Sequence, residues 1–484
     1  MKPLFHGAFL GSVSARALSV VLAASLAACT ANPLALNRPG DMPAAFTAPA
    51  DKTAPVWPQA DWWGKFGTDE LAPLQETAQK ENLDIAQAAA RVLQAEAADG
   101  IALSALFPTL GGSFDASRNG GNSTIPRARN SFSAGLTASY QQGFFGTEYL
   151  RLQAAREDLR ASRYAAAVTG ISISTQVADA YFTVLHYRER IAIATSNIAA
   201  AKRILAITQA KVNSGVSSNL DLAQQQAVLA QQESTLPGLI QGEKQSRYIL
   251  AILLGRAPEG YDVKGQNLNS ISAPSIQPGL PSELLLRNPS IAQAEAELYA
   301  AHANVDAARS LYFPSLNLSG GAGYGAGALS SLFGPAGFIW NIGAGVLQSI
   351  FDGGRIHAQN DQAQARQQEL IANYRKTVFT AFQDVEVSLD LVKSTTEQLA
   401  LVEMQVKALA EAERISELQY REGTIDILSL LINQQALFNA QQALVQTKLS
   451  NLEAHLSLYN ALGGGWDQKT DDAGYKNQLD WWPL

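Results

Sequence analysis

Apolar residues recur at alternating spacings of three and four along two very long segments of the chain. An average apolar period of 3.5 residues predicts long helices that pack as left-handed coiled coils. At about 1.5 Å per residue, a helix of roughly 65 residues would be about 100 Å long. The first segment has this spacing at Val177, Ala180, Val184, Tyr187, Ile191, Ala194, Ile198, Ala201 and Leu205, and the second at Ile371, Tyr374, Val378, Ala381, Val385, Ser388, Val392, Leu399, Val402, Val406 and Leu409.

A short polar break interrupts each helical pattern, Val212–Val216 in the first and Tyr420–Asp426 in the second. Each break contains a glycine, Gly215 or Gly423, that can take the positive φ with which many helices end. We therefore expect each break to be the tip of a long antiparallel helical hairpin.

Two shorter stretches show an alternating pattern instead. Small or polar residues separate Trp340, Ile342, Ala344 and Val346, and the same is true of Leu136, Ala138 and Tyr140. Segments of about ten residues with one apolar face are typical of transmembrane β-strands. The alternative is a hairpin packed on the helices of a soluble protein. Four strands cannot close a barrel, so the membrane interpretation requires an oligomer.

These strands are expected in pairs around two loops, at 119–130 and at 326–336, which would face outside. Each pair would follow a helix that ends at a Phe-Pro sequence, because proline stops a helix and favours extended structure before it. Phe107-Pro108 and Phe313-Pro314 occupy equivalent places in the two halves.

The whole plan occurs twice, at an offset of about 200 residues, which indicates an internal duplication. Asn82–Ala88 resembles Asn288–Ala294, and Leu254-Gly255 resembles Leu462-Gly463. We divide the chain into a first repeat at 61–255, a linker at 256–281, a second repeat at 282–466 and a tail at 467–484.

The amino terminus predicts a lipoprotein signal peptide at 1–28. Lys2 and Arg16 precede the apolar run Ala17–Ala28, which is too short for a spanning helix. Cys29, the one cysteine, follows Leu26-Ala27-Ala28 and is the predicted lipid (palmitate) attachment site; a chance cysteine in a leader cut elsewhere is the alternative.

Residues 29–60 are rich in proline and alanine and predict an extended, lipid-anchored tether. The aromatic residues of Asp61–Phe66 are expected to dock this tether on the protein body. A membrane-interface belt and a chance cluster are the alternatives.

Composition narrows the possible functions. The chain of 484 residues carries a formal net charge of −7, with 47% apolar and 16% charged residues. We find no clustered lysines and arginines, which argues against nucleic-acid binding. Past the leader, no run of 18 consecutive apolar residues occurs, so any membrane crossing is expected to use β-strands.

Catalytic and cofactor motifs are absent from the sequence. The five histidines are scattered, and none belongs to a zinc motif. The Gly-rich run 320–325 alternates as a strand would. At Asp352–Arg355 we expect a tight turn with Asp352 capping a helix, although an anion site at the helix start is an alternative. We therefore expect neither catalysis nor a metal or cofactor site.

The hairpin tips are the remaining candidates for function. Asp221 and Asp426 follow the two breaks, where each would cap a returning helix or join a ring of acids that narrows a cation-preferring pore. Arg421 and Glu422 would pair across neighbouring tips or contact a partner. The sequence does not separate these alternatives.

The chain resembles the outer membrane factor (TolC-like) family. The features that carry the resemblance are the duplication, the Phe-Pro helix stops, the Phe351–Arg355 turn and the terminal Leu462–Trp466. It is most similar to the NodT-type lipoproteins of RND efflux systems. The resemblance covers Cys29 to Trp466.

The resemblance implies a mainly α fold with membrane β: a homotrimeric α-helical barrel of long antiparallel coiled-coil hairpins, joined to a shared twelve-stranded transmembrane β-barrel. It places the protein in the outer membrane of a Gram-negative bacterium, lipid-anchored, with its helices in the periplasm. A periplasmic adaptor protein and an inner-membrane RND transporter are the implied partners.

One departure from the family concerns the gate. Family members often carry an Asp-Ala pair nine residues beyond the tip glycine, where this chain has Ile432-Asn433. If the constriction is acidic, Asp426 is the candidate; if it is apolar, it would close by dewetting. The gate candidates are Arg421, Glu422, Asp426, Leu428, Leu431, Ile432 and Asp221, and the adaptor-contact candidates are Asn213, Ser214, Gly215, Gly423 and Thr424.

The function expected from this resemblance is that of a passive exit channel of a tripartite efflux pump, which conducts drugs or other small molecules to the exterior. The alternatives are the exit duct of a type I protein secretion system and a lipid-anchored coiled-coil scaffold that conducts nothing.

Overall fold

A computed structural model describes residue 46 and residues 62–120, 129–274 and 281–466. The predicted signal peptide, Cys29, nearly all of the tether and the tail after Trp466 lie outside the described residues, as does part of the first predicted loop.

Long helices alternate with pairs of strands. In chain order the elements are α1 (Leu71–Glu81), α2 (Leu83–Ser104), β1 (Thr109–Asn119), β2 (Arg129–Gly143), α3 (Thr147–Asn213), α4 (Asn219–Leu253), α5 (Pro281–Arg287), α6 (Pro289–Ser310), β3 (Ser315–Ala326), β4 (Phe338–Leu347), α7 (Arg355–Glu422) and α8 (Ile427–Ala461).

The two halves have the same plan, as the duplication predicts. Helices α3 and α7 have 67 and 68 residues, and each returns through a helix of 35 residues, α4 or α8. The helices before the strands, α2 and α6, both have 22 residues and end just before a Phe-Pro sequence. The helix stops at Pro108 and Pro314 are therefore confirmed.

The four strands form one antiparallel sheet in the order β1-β2-β3-β4. Strands β2 and β3 come from different repeats, and they pair from Phe132↔Ala326 to Gly143↔Ser315. Strands β1 and β4 are the two edges of this sheet, and an unpaired edge presents backbone groups that a further strand can bind.

Register places the apolar residues of all four strands on one face of the sheet. Leu110 lies opposite Ala138, Leu136 opposite Ala322, and Ala322 opposite Trp340. The large residues of this face are solvent-exposed; Ile342, for example, is 83% exposed. Exposure of a whole apolar sheet face is unusual in a soluble monomer and is typical of a lipid-facing surface.

The opposite face of the sheet is polar and small. In each strand it consists of glycine, serine, threonine, asparagine or glutamine, with few exceptions. Gly135 and Gly323 lie directly opposite each other, so close that a Cβ on Gly323 would lie 2.7 Å from the Gly135 Cα. The predicted alternation is therefore confirmed across the sheet.

The helical core is built on the predicted coiled-coil spacing. Val177, Val184 and Ala194 of α3 and Val378 and Val385 of α7 have no exposed surface. The prediction was wrong at the end of the first seam, where Ile204 is buried and Leu205 is only half-buried. A one-residue shift of this kind arises because a straight helix drifts from a strict 3.5-residue repeat.

The aromatic cluster docks on the protein body, as expected. Trp62, Trp63 and Phe66 are buried in the main hydrophobic cluster. The Trp62 indole stacks on the Tyr459 ring with a centroid distance of 4.3 Å, and Phe66 packs on Phe182. Burial of aromatic side chains of this size contributes several kcal/mol, on the order of 2 to 3 per residue.

The end of each hairpin packs on the start of a helix at equivalent places in the two repeats. Asn82 donates from its amide to the Leu253 carbonyl oxygen, and Asn288 donates likewise to Ala461. The glycines that follow, Gly255 and Gly463, have φ values of +69° and +83°. A Cβ at either position would lie within 2.1 Å of a backbone carbonyl oxygen, so the backbones can meet only at glycine.

Two compact units divide the described chain, and neither unit is a repeat. One contains the four strands with the adjoining parts of the helices, from 105–154 and 301–367. The other contains the rest of the helices and the linker. Each repeat contributes to both units.

By length and composition, α3 contains a segment apolar enough to cross a membrane, the one such helix within the described part of the chain. The same helix buries Val177, Phe182 and Leu185 in the main hydrophobic cluster.

Candidate functional site

The first hairpin tip is a glycine-closed turn followed by a capped helix. Gly215 has φ +76°, and the Val216 amide donates to the Lys211 carbonyl oxygen. Ser218 then caps α4: its hydroxyl accepts from the Asp221 amide at 3.2 Å, and the Asp221 carboxylate accepts from the Ser218 amide at 2.9 Å. This reciprocal arrangement is a capping box.

The second tip is also a glycine-closed turn followed by a capped helix. Gly423 has φ +76°, and the Thr424 amide donates to the Gln419 carbonyl oxygen at 2.9 Å. Asp426 caps α8 by accepting from the Ser429 amide at 2.9 Å. Asp426 is thus the N-cap of α8, whereas at the first tip Ser218 is the N-cap of α4 and Asp221 is its capping-box partner three residues later.

Hydrogen bonds to both cap carboxylates stabilise the charged form. The hydroxyl of Ser217 and the amide of Ser218 hold the pKa of Asp221 below its usual value. Ser429 does the same to the pKa of Asp426, and the nearby charge of Asp221 opposes this in part. Both groups are therefore anionic at neutral pH, and they are close enough to interact.

A lysine and a tyrosine join the two tips. The Lys211 ammonium donates to the Tyr420 carbonyl oxygen and lies 4.1 Å from the centre of the Tyr420 ring. The Tyr420 hydroxyl is 3.0 Å from the Thr208 hydroxyl. A cation–π contact and charge-assisted hydrogen bonding thus act at one buried tyrosine.

An apolar cluster lies beneath this contact. It consists of Ile204, Tyr420, Ile427, Leu430 and Leu431, so the turn between α7 and α8 has its own small core.

Among the apolar gate candidates, Leu431 is 6% exposed because it packs inside this cluster. Leu428 and Ile432 are 50% and 59% exposed. Only these two present apolar surface with which a neighbouring chain could form an apolar constriction.

The remaining gate candidates are charged and exposed. Within the chain, Arg421 pairs with Glu417 in the same helix, four residues earlier. That Arg421 and Glu422 pair across neighbouring tips or contact a partner stays a prediction. Glu422 is exposed at the end of α7. Asn433 donates from its amide to the Ser416 hydroxyl of α7.

The residues expected to contact an adaptor are all exposed: Asn213, Ser214, Gly215, Gly423 and Thr424. Two large apolar residues beside them were missed in the sequence. Val216 and Leu220 are 74% and 65% exposed. The available signal was their position, Val216 within the polar break and Leu220 in the first turn of α4, because an apolar residue at a hairpin tip has no core to enter.

Lys211 and Thr208 were also missed. They lie on α3 one turn apart, and their partner Tyr420 is about 200 residues away, so a single sequence gives no signal for the pair. Within the residues that the structure describes, no group of three or more histidine, cysteine, aspartate or glutamate side chains is placed to hold a metal ion.

Comparison with known families finds a match along both repeats. Residues 74–256 and 280–464 match the family described as outer membrane efflux protein. The match covers more than half of the chain, and its gap coincides with most of the linker.

Individual proteins of known name are similar over most of their length. The pyoverdine export outer membrane protein OpmQ of Pseudomonas aeruginosa is 37% identical over 415 residues, 84% of this chain and 87% of that protein. The cation efflux system protein CusC of Escherichia coli K12 is 30% identical over 84% of this chain and 89% of that protein.

A solved structure shows the same fold. The open state of the MtrE outer membrane channel of Neisseria gonorrhoeae has a TM-score of 0.80 to this chain at 28% identity. The similarity covers 88% of this chain and 96% of that one.

Proposed function

The chain belongs to the outer membrane efflux protein family, and on that premise we propose that it is a passive, homotrimeric exit duct of a tripartite efflux system. It is an outer-membrane efflux channel with the TolC-like fold. The trimer, the substrate, the lipid anchor and the gate are the parts that we propose.

The proposal of a trimeric duct rests on the two faces and the two edge strands of the sheet. One face is apolar and exposed, the other is polar and small, and the edge strands β1 and β4 are unpaired. Pairing β1 of one copy with β4 of the next removes every edge and puts the polar face inside. Three copies would close a twelve-stranded barrel with a water-filled lumen.

The hairpin tips supply the gate in this proposal. Lys211 and Tyr420 hold the two hairpins of one chain together, and Asp221 and Asp426 add fixed negative charge beside them. Leu428 and Ile432 are exposed next to this group and would meet their counterparts around the axis. A closed duct would thus combine an acidic element with an apolar one.

The exposed surface of the tips is the proposed docking site for the periplasmic adaptor. Val216 and Leu220 are apolar and exposed, and the tips also expose the polar residues Asn213, Ser214 and Thr424. An apolar centre with a polar rim is the usual composition of a protein–protein interface. The adaptor would in turn connect the duct to an inner-membrane RND transporter.

Cys29 is the proposed lipid attachment site that holds the amino terminus at the outer membrane. We propose no catalytic role, because the duct needs only a path, with energy supplied by the partner transporter. Since OpmQ is named for pyoverdine export, pyoverdine is the first substrate to test. Metal cations are the second, after CusC.

The test is deletion of the gene in a strain without redundant ducts, followed by complementation. We expect loss of the duct to raise the intracellular concentration of the exported compound, whether pyoverdine, a dye or a metal. The concentration of that compound outside the cell should fall. The wild-type gene should restore export, and so should Ile342→Trp, on the apolar face. Asn341→Trp, whose three indoles would face the lumen, should not.

Two outcomes would contradict the proposal. Unchanged accumulation of every compound on deletion would contradict an efflux role. A loss of secreted proteins with no change in small molecules would instead favour the type I secretion alternative.

A further inference from the structure

The polar face of the sheet carries almost no charge. Of the described strand residues, the charged ones are Asp115, Arg118 and Arg129. Register assigns them to faces: Asp115 lies opposite Ser133 on the polar face, and Arg129 lies opposite Asn119 at the loop end of that face. Arg118, opposite Asn130, lies at the same end of the apolar face.

Asp115 is the one acidic residue among the described strand residues of this face. Its neighbours along β1 on the polar side are Ser113 and Ser117, and all three are exposed. Arg129 is four residues from Ser133 along β2, or about 13 Å at roughly 3.3 Å per residue. Electrostatic screening is effective over about 8 Å at physiological ionic strength. The cation at the loop end therefore does not neutralise Asp115.

A neighbouring copy would not neutralise Asp115 either. Strand β1 is an edge, and in the trimer β4 of the next copy would lie beside it. Strand β4, Phe338–Leu347, contains no charged residue. Symmetry would then place three Asp115 carboxylates at one level of the lumen.

We propose that Asp115 forms an acidic belt in the barrel lumen that favours cations over anions at the outer end of the duct. This inference rests on the proposed trimeric duct. The belt lies in the strands, so it is separate from the acids of the hairpin tips. The glycine and serine wall around it leaves the carboxylates as the dominant fixed charge.

A thiol-labelling experiment tests the belt and does not require the tips to open. The parent chain has one cysteine, Cys29, and serves as the labelling background. In intact cells, Asp115→Cys and Ser113→Cys should react with small charged thiol reagents added outside. Phe114→Cys, between them on the apolar face, should not react. Equal labelling of Phe114→Cys and Asp115→Cys would overturn the assignment of faces.

The charge itself is measured at Ser113→Cys by the ratio of its labelling rates with a cationic and an anionic reagent of similar size. Asp115→Asn should lower that ratio severalfold at low salt, because the Asp115 carboxylate lies two residues along the same strand face, about 7 Å away. The effect should shrink in 1 M salt. The matched control Arg118→Gln, on the apolar face, should leave the ratio unchanged.

The possible outcomes distinguish a failure of the proposed acidic belt from a failure of the proposed duct. If the chain is trimeric and exports its substrate but Asp115→Asn leaves the labelling ratio unchanged, the belt is wrong and the duct stands. If no trimer forms and Ser113→Cys is inaccessible, the proposed duct fails and the belt with it.

Discussion

At the scale of single residues, Lys211 and Tyr420 link the two tips by a hydrogen bond and a cation–π contact. Removing the charge of Lys211 should loosen the two tips, because the contact with the Tyr420 ring and the hydrogen bond to the Tyr420 carbonyl oxygen are lost together. Lys211→Met should therefore raise single-channel conductance in planar bilayers.

The matched control is Lys202→Met, on the same helix, where the lysine makes an exposed pair with Glu233 at 2.8 Å. Exposed pairs contribute little, on the order of 0.5 kcal/mol. If the two variants conduct equally, Lys211 does not restrain the tips.

His186 predicts a pH dependence of stability. Its imidazole is buried, 3.4 Å from the Val445 carbonyl oxygen, and burial together with Arg190 lowers its pKa to about 4 from an ordinary value near 6.5. Between these values the unfolded chain binds a proton that the folded chain does not. Stability contributed by neutral His186 is therefore complete above pH 6.5 and is lost as the pH falls towards 4.

Thermal loss of helical circular dichroism in detergent measures this effect. We expect the midpoint to fall between pH 7.5 and pH 5 by a few degrees more in the wild type than in His186→Gln. Parallel pH profiles of the two proteins would show that His186 is not the titrating group.

Residue-level roles were the part least predictable from the sequence. Asp426 and Asp221 were identifiable because a cap lies next to its own helix in sequence. Burial of Leu431 and the partnership of Lys211 with Tyr420 depend on which helices pack together, and that is set by distant residues.

At the scale of elements, substitutions of two glycines distinguish backbone strain from a steric clash. Gly255 follows the end of the first hairpin, and Gly423 is at the tip of the second. Gly255→Ala adds backbone strain at positive φ and also forces a Cβ against the Glu81 carbonyl oxygen, at 2.1 Å before relaxation. Gly423→Ala adds the same strain in open space. Strain alone costs about 1 kcal/mol, so Gly255→Ala should be the more destabilising of the two by at least about 2 kcal/mol.

Detergent-purified protein and thermal unfolding suffice for this comparison. Gly463→Ala should behave as Gly255→Ala does, because the duplication repeats the contact with the Arg287 carbonyl oxygen. Equal midpoints for Gly255→Ala and Gly423→Ala would mean that the close contact relaxes at no cost.

The two faces of β4 give a second comparison at this scale. Ile342→Asp places a carboxylate on the apolar face, where a charge in lipid is destabilising, by about 2 to 4 kcal/mol for Arg or Lys at the bilayer midplane and by less for Asp. Asn341→Asp places the same charge one residue away on the polar face. We expect Ile342→Asp to lower the yield of membrane-inserted oligomer and Asn341→Asp to leave it near the wild-type level.

Elements were predictable because each rests on a local pattern. Helix length followed from the 3.5-residue period, and strand faces from the alternation at Leu136 and Trp340. The pairing of β2 with β3 could not be read from either pattern, since these strands belong to different repeats and their register depends on packing.

At the scale of the whole molecule, the chain has surfaces that the proposed trimer would cover. Its sheet has two free edges, and large apolar residues of α7 such as Leu401 and Met404 are more than 60% exposed. Assembly would cover such surfaces. From the sequence, the four strands indicated only that an oligomer is needed. The resemblance to the family supplied the expectation of a trimer.

The conductance of the purified full-length oligomer in planar bilayers tests the central claim most directly. We predict that a trimer inserts and conducts in discrete steps, that Lys211→Met conducts more, and that Asn341→Trp conducts less while Ile342→Trp matches the wild type. An oligomer that inserts but passes no current, in the wild type and in Lys211→Met alike, would contradict the account.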